Sequence, residues 1–238
     1  MRPLLAAALL ALASTGARAD DAGWTDLMTP DAWKKFDDRW VVTDAVGLDP
    51  ANPKKLAAAK ADKGTIWVNG PGRVADLYTK ADYGDCEVSL EFMIAKGSNS
   101  GVKFHGVYEV QILDSFGKKG PLGGNDLGGV PRAKLTAPYT YLDDGIAPKV
   151  NAAKPPGEWN TLTAEWQSPK FDAGGKKVAD ARLEKVTING QVVHEGVAVK
   201  TPTGSNWGKP ETAAGPFMLQ ADHGPTAVRA MKIRKTDK

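Results

Sequence analysis

The chain has 238 residues, a formal net charge of +3 and a single cysteine. With 42% hydrophobic residues it is too apolar for a disordered chain, and 25% charged residues is an ordinary globular value. One cysteine excludes an intramolecular disulfide framework and a cysteine-based zinc cluster. The small net charge gives no reason to expect a nucleic-acid partner.

Residues 1–19 have the pattern of a secretory signal peptide. Arg2 gives a short positive region, Leu4–Ala13 is an apolar run, and Ala17-Arg18-Ala19 provides small residues for cleavage. The apolar run is too short to cross a bilayer, and no later segment is long enough to be an integral membrane helix. We predict that residues 20–238 form one domain that is periplasmic or secreted. Without the two signal arginines the net charge falls from +3 to +1, which favours an uncharged partner such as a sugar.

The first predicted elements after the signal are short. Thr29–Trp33 predicts one helical turn, with Thr29 as the N-cap and Pro30 in the first helical position. Lys54–Lys63 is rich in Ala and Lys and predicts a surface helix or an insertion loop. Cys86–Phe92 alternates strictly between apolar and polar residues, which predicts a half-buried strand with its cysteine in the core.

The later elements are also predicted to be strands. Asn189-Gly190 lies between two strand-like runs and predicts a hairpin, because both residues accept a positive φ. Residues 118–156 form the one long irregular region, of a length that is usually functional or mobile in a compact domain. Many short strands with Gly- and Pro-rich connections favour an all-β sandwich or barrel. The other predicted strands are Val102–His105, Tyr108–Leu113, Trp159–Trp166, Leu183–Ile188, Gln191–His194, Phe217–Gln220 and Val228–Ile233.

Tyr108–Asp114 contains the first candidate site. A period of two places Glu109 and Gln111 on one face, with Leu113 completing the row, while the intervening residues face the core. Two neighbouring polar groups between core residues suggest a binding or catalytic face, although an exposed sheet face is the alternative. His105, on the preceding strand, is a further candidate.

Gln220-Ala221-Asp222-His223-Gly224 contains the second candidate site. It follows an apolar strand, and Asp, His and Gln side chains at a strand end can form a sugar site or a metal site. The alternative is a structural loop histidine. His194, which follows the predicted hairpin, is expected to be exposed to solvent.

Several common catalytic motifs are absent. Gly123–Gly128 has the glycine spacing of a phosphate-binding loop but lacks the Lys and Ser/Thr that follow it. His194-Glu195 does not continue into a zinc-protease motif, and Gly97–Gly101 has an asparagine where a nucleophile elbow has serine. These absences argue against a P-loop enzyme, a zinc protease and a serine hydrolase.

Seven short motifs follow one another along the chain, namely Tyr83-Gly84-Asp85, Gly97–Val102, Tyr108–Ser115, Pro155–Thr161, Phe171–Lys176, Asn189–His194 and Leu219–Pro225. This ordered set resembles the 3-keto-disaccharide hydrolase domain family. The resemblance implies a concanavalin A-like jelly-roll β-sandwich of two antiparallel sheets, with a concave face that binds carbohydrate. The sequence departs from the family pattern at Val107, at Gly128–Pro131 and in extra residues through Tyr139–Asp144.

The resemblance implies cleavage of a glycoside that has been oxidised at C3. The ketone acidifies the hydrogen at C2, and the resulting enolate can expel the C1 substituent before water adds. This route needs a base, an oxyanion stabiliser and an acid. The candidates for proton transfer are Glu109, Asp222 and His223. The candidates for substrate binding are Arg73, Asn99, His105, Gln111 and Gln220.

Two other functions remain open at this point. A lectin-like sandwich can bind glycans without chemistry, and a conventional glycoside hydrolase would use two carboxylates, for which Glu109 and Asp222 are candidates. A bound divalent metal is a possible cofactor that would stabilise the oxyanion, although spacing alone does not define its site. Trp40, Trp67 and Trp207 are candidate stacking platforms, with burial in the core the expected fate of each.

Overall fold

The computed structural model describes residues 23–70, 72–133 and 141–236. The predicted signal peptide, residues 1–19, lies outside the described residues. Short 3-10 turns occur at Pro30–Ala32 and Gly204–Asn206. The strands are β1 (Thr25–Asp26), β2 (Val41–Thr43), β3 (Val46–Asp49), β4 (Asn52–Ala58), β5 (Ile66–Val68), β6 (Leu77–Tyr83), β7 (Cys86–Ile94), β8 (Asn99–Phe104), β9 (Tyr108–Leu113), β10 (Asn160–Gln167), β11 (Lys170–Phe171), β12 (Lys177–Ala179), β13 (Ala181–Ile188), β14 (Gln191–Val199), β15 (Gly215–Leu219) and β16 (Thr226–Lys235).

Two antiparallel sheets form the sandwich. The large sheet has the order β14-β13-β10-β7-β16-β5-β2, with β1 also paired to β16, and the small sheet has the order β6-β15-β8-β9. Successive strands such as β6, β7 and β8 alternate between the two sheets, which is typical of a jelly roll. The prediction of an all-β jelly-roll sandwich is therefore confirmed. No helix in the described ranges has the length and apolarity needed to cross a membrane.

The core lies between the sheets and follows the predicted alternation. In β7 the residues Cys86, Val88, Leu90 and Phe92 are all buried, and the intervening polar residues are partly exposed. Burial raises the pKa of the Cys86 thiol to about 12, so this cysteine stays protonated and packs as a small apolar residue. The predicted burial of Cys86 is confirmed.

The prediction for Lys54–Lys63 is wrong over its first residues. Residues Asn52–Ala58 form strand β4, which pairs with β3 in a hairpin. Asp49 Oδ1 accepts hydrogen bonds from the backbone N–H groups of Ala51 and Asn52, which fixes the turn between the two strands. Leu56 and Ala58 then pack against a small apolar cluster of the large sheet. Tertiary burial thus overrides the helical propensity of the Ala- and Lys-rich composition.

Of two other local predictions, one is confirmed in part and one is wrong. A single turn does form at Pro30–Ala32, but the Thr29 side chain makes no capping hydrogen bond. His194 was expected to be exposed and is 1% exposed instead. Its Nε2 donates a 2.7 Å hydrogen bond to the Gly128 carbonyl, and burial lowers the pKa of the imidazole. The histidine therefore anchors the long irregular region onto β14.

The outer edge of β9 is covered by two segments distant in sequence. The Gln111 N–H donates to the Gly129 carbonyl, and the Gly128 N–H donates to the Gln111 carbonyl, each at 2.8 Å. Further along the same edge, the Glu109 N–H donates to Thr203 Oγ1 at 2.9 Å. These bonds satisfy backbone groups that an edge strand would otherwise expose, and they place both segments beside Glu109 and Gln111.

Candidate functional site

Polar side chains collect on the outer face of the small sheet, away from the core. The strand register places Tyr78, Met218, Lys103 and Glu109 in one row across the four strands. In the next row, the Gln220 N–H donates to the Gly101 carbonyl, and Gly101 pairs with Gln111. The structure confirms that Glu109 and Gln111 share a face, but both are buried, which distinguishes this face from a solvated sheet surface.

Glu109 forms a buried ion pair with Lys103. Lys103 Nζ lies 3.3 Å from Glu109 Oε2, and the two side chains are 4% and 6% exposed. Burial raises the pKa of Glu109, and the positive charge of Lys103 opposes that shift. The pair therefore combines a carboxylate of enhanced basicity with a cation that solvent does not screen.

Glycines make room for the Glu109 carboxylate. A Cβ atom on Gly101 would lie 2.4 Å from Glu109 Oε1, and one on Gly204 would lie 3.3 Å from Oε2. Gly101 is in an ordinary extended conformation, so only the close approach of the carboxylate requires a glycine there. Gly204 has a left-handed φ of 55°, which independently favours glycine.

Replacing Gly101 by alanine is therefore expected to displace the Glu109 carboxylate while the strand is retained. If Glu109 transfers a proton, as its sequence motif predicts, a displacement of about 1 Å can lower kcat about a hundredfold. Steady-state kinetics on a 3-keto-glycoside, the substrate class that the resemblance implies, would measure the loss. The matched control is Gly47→Ala, since a Cβ at that strand glycine would contact nothing within 4 Å. Equal activity of the two variants would show that the carboxylate position is unimportant.

A second acidic residue, Asp76, directly precedes β6 and lies beside the end of β15. Asp76 Oδ1 accepts a 2.8 Å hydrogen bond from the Ala221 N–H. Burial raises the pKa of Asp76, the charge of Asp222 raises it further, and Lys103 and His223 lower it. Because Asp76, Lys103 and His223 also act on the pKa of Glu109, these groups form one electrostatic site.

Asp222 and His223 form a half-exposed pair beside this group. Asp222 Oδ1 accepts a hydrogen bond from His223 Nδ1, and the two side chains are 46% and 54% exposed. Gln220 Nε2 lies 3.2 Å from the same imidazole nitrogen. An imidazole held by a carboxylate at the margin of a buried site has the arrangement expected of a proton donor or acceptor.

Two amide oxygens on this face lack hydrogen-bond donors. Asn99 Oδ1 and Gln220 Oε1 are buried and have no hydrogen-bond partner within the described part of the chain. Buried acceptors are normally satisfied in folded proteins. Both residues were predicted to bind substrate, and a polyhydroxylated ligand would bring the donors that these oxygens require.

The remaining predicted binding residues differ in where they lie. Gln111 shares the face of Glu109, and its Oε1 atom accepts a 3.0 Å hydrogen bond from the N–H of Ile112. Arg73 is exposed in the loop before β6, where its carbonyl accepts a hydrogen bond from Arg39. This loop adjoins the Asp222 segment, because the Val74 N–H donates to the Ala221 carbonyl. His105 lies in the turn after β8 with a left-handed φ of 53°.

Both nitrogens of the buried His105 imidazole are used within the protein. Nδ1 donates to the Thr212 carbonyl, and Nε2 accepts from Ser168 Oγ, each at 3.0 Å. Its ring packs edge-on against Trp166. The structure thus does not place His105 among the site residues. Trp40 and Trp67 are buried in the core as expected, and Trp207 is half-buried.

A divalent cation would need several carboxylate or imidazole ligands close together. Among the described residues, no group of three or more His, Cys, Asp or Glu side chains is placed to hold a metal ion. Next to Glu109 the positive charge comes from Lys103.

The sequence patterns did not reveal four functional candidates, which are Lys103, Asp76, Gly101 and Gly204. Alternation along β8 is a signal for Lys103, since Val102 and Phe104 are core residues and the lysine between them must face outward. That it lies opposite Glu109 depends on the register of the β8–β9 hairpin. Asp76 precedes a strand that was not predicted, so no local pattern indicated it.

The fold and the family model together place the chain among carbohydrate-active proteins. The sequence matches the model of the 3-keto-alpha-glucoside-1,2-lyase-like domain family over residues 23–234, and the chain belongs to this family. The resemblance found from the sequence motifs is thereby confirmed.

Solved structures with the same fold include two proteins from Parabacteroides distasonis ATCC 8503, both provisionally assigned as glycosyl hydrolases. The first is 22% identical with a TM-score of 0.58, and the match covers 90% of this chain and 84% of that one. The second is 20% identical with a TM-score of 0.54, covering 90% of this chain and 99% of that one. No curated protein matches the sequence significantly.

Proposed function

We propose that the protein cleaves 3-keto-glycosides by eliminating the C1 substituent and then hydrating the enone. The observation that carries this proposal is the buried Glu109–Lys103 pair on a face with unsatisfied amide acceptors. Membership of the lyase-like family supports the same chemistry.

Glu109 is the proposed base. Its raised pKa makes the carboxylate a better acceptor for the C2 proton than an exposed carboxylate. As that proton moves to Glu109, negative charge develops on the C3 oxygen. The adjacent Lys103 ammonium is fixed in a site of low polarity, where it stabilises that charge more than it would in water.

His223 is the proposed acid. When the C1–oxygen bond breaks, the leaving oxygen takes a proton from the imidazolium, whose position is fixed by Asp222. Water then adds its hydroxyl to C1 and a proton to C2 of the enone. The products are the 3-keto-sugar and the free alcohol, which is the balance of an overall hydrolysis.

A substrate comparison tests this function. The protein is expected to release the alcohol from a 3-keto-disaccharide and not from the unoxidised parent, because only the ketone acidifies C2. Deuterium at C2 of the 3-keto substrate should slow the chemical step severalfold, as measured in single-turnover kinetics.

Other outcomes would identify the competing functions. Cleavage of both sugars at similar rates, without a C2 isotope effect, would indicate a conventional glycoside hydrolase. Binding of both sugars without any turnover would indicate a carbohydrate-binding module.

A further inference from the structure

The place of the His223 imidazole depends on the backbone of the segment that carries it. Residues 220–225, named here the His223 loop, connect β15 to β16. Within the described part of the chain, the hydrogen-bond partners of the imidazole are Asp222 and Gln220, which belong to the same loop. Glu109 lies on a different strand, β9. The position of the imidazole relative to Glu109 is therefore set by whatever fixes the backbone of the loop.

Asn69 is a buried residue whose side chain bonds both ends of the His223 loop. It directly follows β5 and is 0% exposed. Its Nδ2 atom donates hydrogen bonds to the Ala221 carbonyl at 3.0 Å and to the Gly224 carbonyl at 2.8 Å. Its Oδ1 atom accepts a 2.8 Å hydrogen bond from the N–H of Thr226, the first residue of β16. Both polar atoms of the side chain are thus used, and the two carbonyls lie on either side of the residue that carries the imidazole.

The backbone around Asn69 directs its side chain towards the loop. Strand β5 pairs with β16, and the Asn69 N–H extends this ladder by donating to the Thr226 carbonyl at 3.1 Å. The Asn69 carbonyl accepts a 3.0 Å hydrogen bond from the Gly72 N–H. Gly72 packs closely against the loop, since a Cβ atom there would lie 2.5 Å from the backbone nitrogen of Pro225. The amide therefore projects from a paired strand into the base of the loop.

Two other side chains each hold one end of the His223 loop. At the first end, Asp76 Oδ1 accepts a 2.8 Å hydrogen bond from the Ala221 N–H. At the second end, Ser98 Oγ donates a 2.8 Å hydrogen bond to the Pro225 carbonyl. Neither bond relates one end of the loop to the other. The Asn69 amide does so, because the same nitrogen atom bonds a carbonyl at each end.

We propose that Asn69 is a positioning residue that sets the place of the His223 imidazole through the backbone of the His223 loop. The inference rests on the proposed function in one respect, since His223 is the proposed acid for the leaving oxygen. Without the Asn69 amide, two loop carbonyls lose a donor and the loop can shift. A shift of about 1 Å in a group that transfers a proton can lower the rate about a hundredfold. The loss should fall on kcat, because the proton is transferred as the bond breaks.

The test compares Asn69→Ala with the wild type on two substrates that differ in their need for an acid. The methoxide of methyl 3-keto-glucoside must be protonated as it leaves, whereas the nitrophenolate of 4-nitrophenyl 3-keto-glucoside is stable as an anion. On the methyl glycoside we expect kcat to fall about a hundredfold with KM unchanged within about twofold. On the nitrophenyl glycoside kcat should stay within about threefold of the wild-type value.

Asn160→Ala is the matched control. Asn160 is 1% exposed and lies at the start of β10 in the large sheet. Its Nδ2 donates to the Glu158 carbonyl, and its Oδ1 accepts from the Lys154 N–H and from Asn189 Nδ2. Both variants should lose thermal stability, but only Asn69→Ala should lose kcat on the methyl glycoside. If Asn69→Ala does not fold, Asn69→Ser retains one hydrogen-bonding group and should show a smaller loss with the same dependence on the substrate.

Three kinetic results would overturn the inference. The first is a kcat on the methyl glycoside equal to that of Asn160→Ala, and the second is an equal loss on both substrates. The third is a further loss of kcat when Asn69→Ala is added to His223→Gln. A residue that acts through His223 has no effect once the imidazole is gone, so the double variant should match His223→Gln alone.

A measurement on the imidazole itself separates this inference from the proposed function. If the wild type turns over no 3-keto sugar, the function fails, and NMR of the imidazole signals still tests the role of Asn69. The chain has three histidines, and the buried His105 and His194 serve as internal references. In Asn69→Ala the His223 signals should shift while those of the two references stay in place, and Asn160→Ala should leave the His223 signals unchanged. Unshifted His223 signals in Asn69→Ala would overturn the inference whatever the activity.

Discussion

Replacing Glu109 by glutamine is expected to lower kcat on a 3-keto-glycoside about a thousandfold while sugar binding persists. Glutamine has nearly the same shape but cannot accept the C2 proton, and a positioned base contributes about 10²- to 10⁴-fold. In the wild type, kcat should fall as the pH falls through the pKa of Glu109. Burial raises that pKa, so the fall should occur above the ordinary carboxyl range. Single-turnover kinetics would measure the rate at each pH, and calorimetry would measure the affinity for sugar.

Glu195→Gln is the matched control for this experiment. Glu195 forms an exposed ion pair with Lys149 on the large sheet, so the same change there should leave kcat unaffected. Unchanged turnover in Glu109→Gln would remove Glu109 from the mechanism. Loss of turnover together with loss of sugar binding would instead assign it a role in binding.

Replacing Lys103 by methionine is expected to affect both activity and stability. The developing charge at C3 would lose its stabilising cation, and removing one such group typically costs about 10²- to 10³-fold in kcat. The Glu109 carboxylate would be left buried without its partner, which costs about 3–5 kcal/mol in the free energy of unfolding. Denaturant unfolding of both proteins at several pH values would measure the second effect.

The stability loss in Lys103→Met should depend on pH in a definite direction. Burial raises the folded-state pKa of Glu109 above its unfolded value, and removal of Lys103 takes away a charge that opposes this shift. Between those two pKa values the folded state binds the additional proton, so stability falls as the pH rises. The loss relative to the wild type should therefore be smaller at acidic pH than at neutral pH.

Two further variants make the Lys103 result interpretable. Lys149→Met breaks the exposed Lys149–Glu195 pair and should change stability by less than about 1 kcal/mol. The double variant Lys103→Met/Glu109→Leu removes both buried charges and should recover most of the lost stability without activity. Failure of the double variant to recover stability would mean that the lysine acts through packing alone.

The sequence patterns predicted the fold class and the faces of the main strands because those depend on local alternation. In Cys86–Phe92 and in Tyr108–Leu113, alternate side chains face the core, as the period of two predicts. Strands β2, β3, β5 and β6 were among those not predicted. β5 has three residues, too few to show a period, and β6 carries Lys80, Ala81 and Asp82 in succession. The β4 strand was missed because its burial depends on residues from other strands.

The candidate site was predicted only in part, because its members meet through cross-strand register. Glu109, Gln220 and His223 lie in motifs that stand out locally. The partnership of Glu109 with Lys103 depends on which residue of β8 pairs with it. The position of Asp76 in the site depends on its hydrogen bond from the Ala221 N–H, which lies far along the chain. For His105, no pattern in the sequence reveals that Thr212 and Ser168 occupy its ring nitrogens.

The position of β16 also bears on the order of folding. This strand lies between β7 and β5 in the large sheet, although it begins at Thr226 and β7 ends at Ile94. Loop closure over such a distance is entropically costly, and sheets that depend on it fold slowly. During synthesis, β7 has no partner on one of its two edges until β16 emerges from the ribosome. Folding of the large sheet is therefore expected to follow translation, since its central strand pair is completed only by the end of the chain.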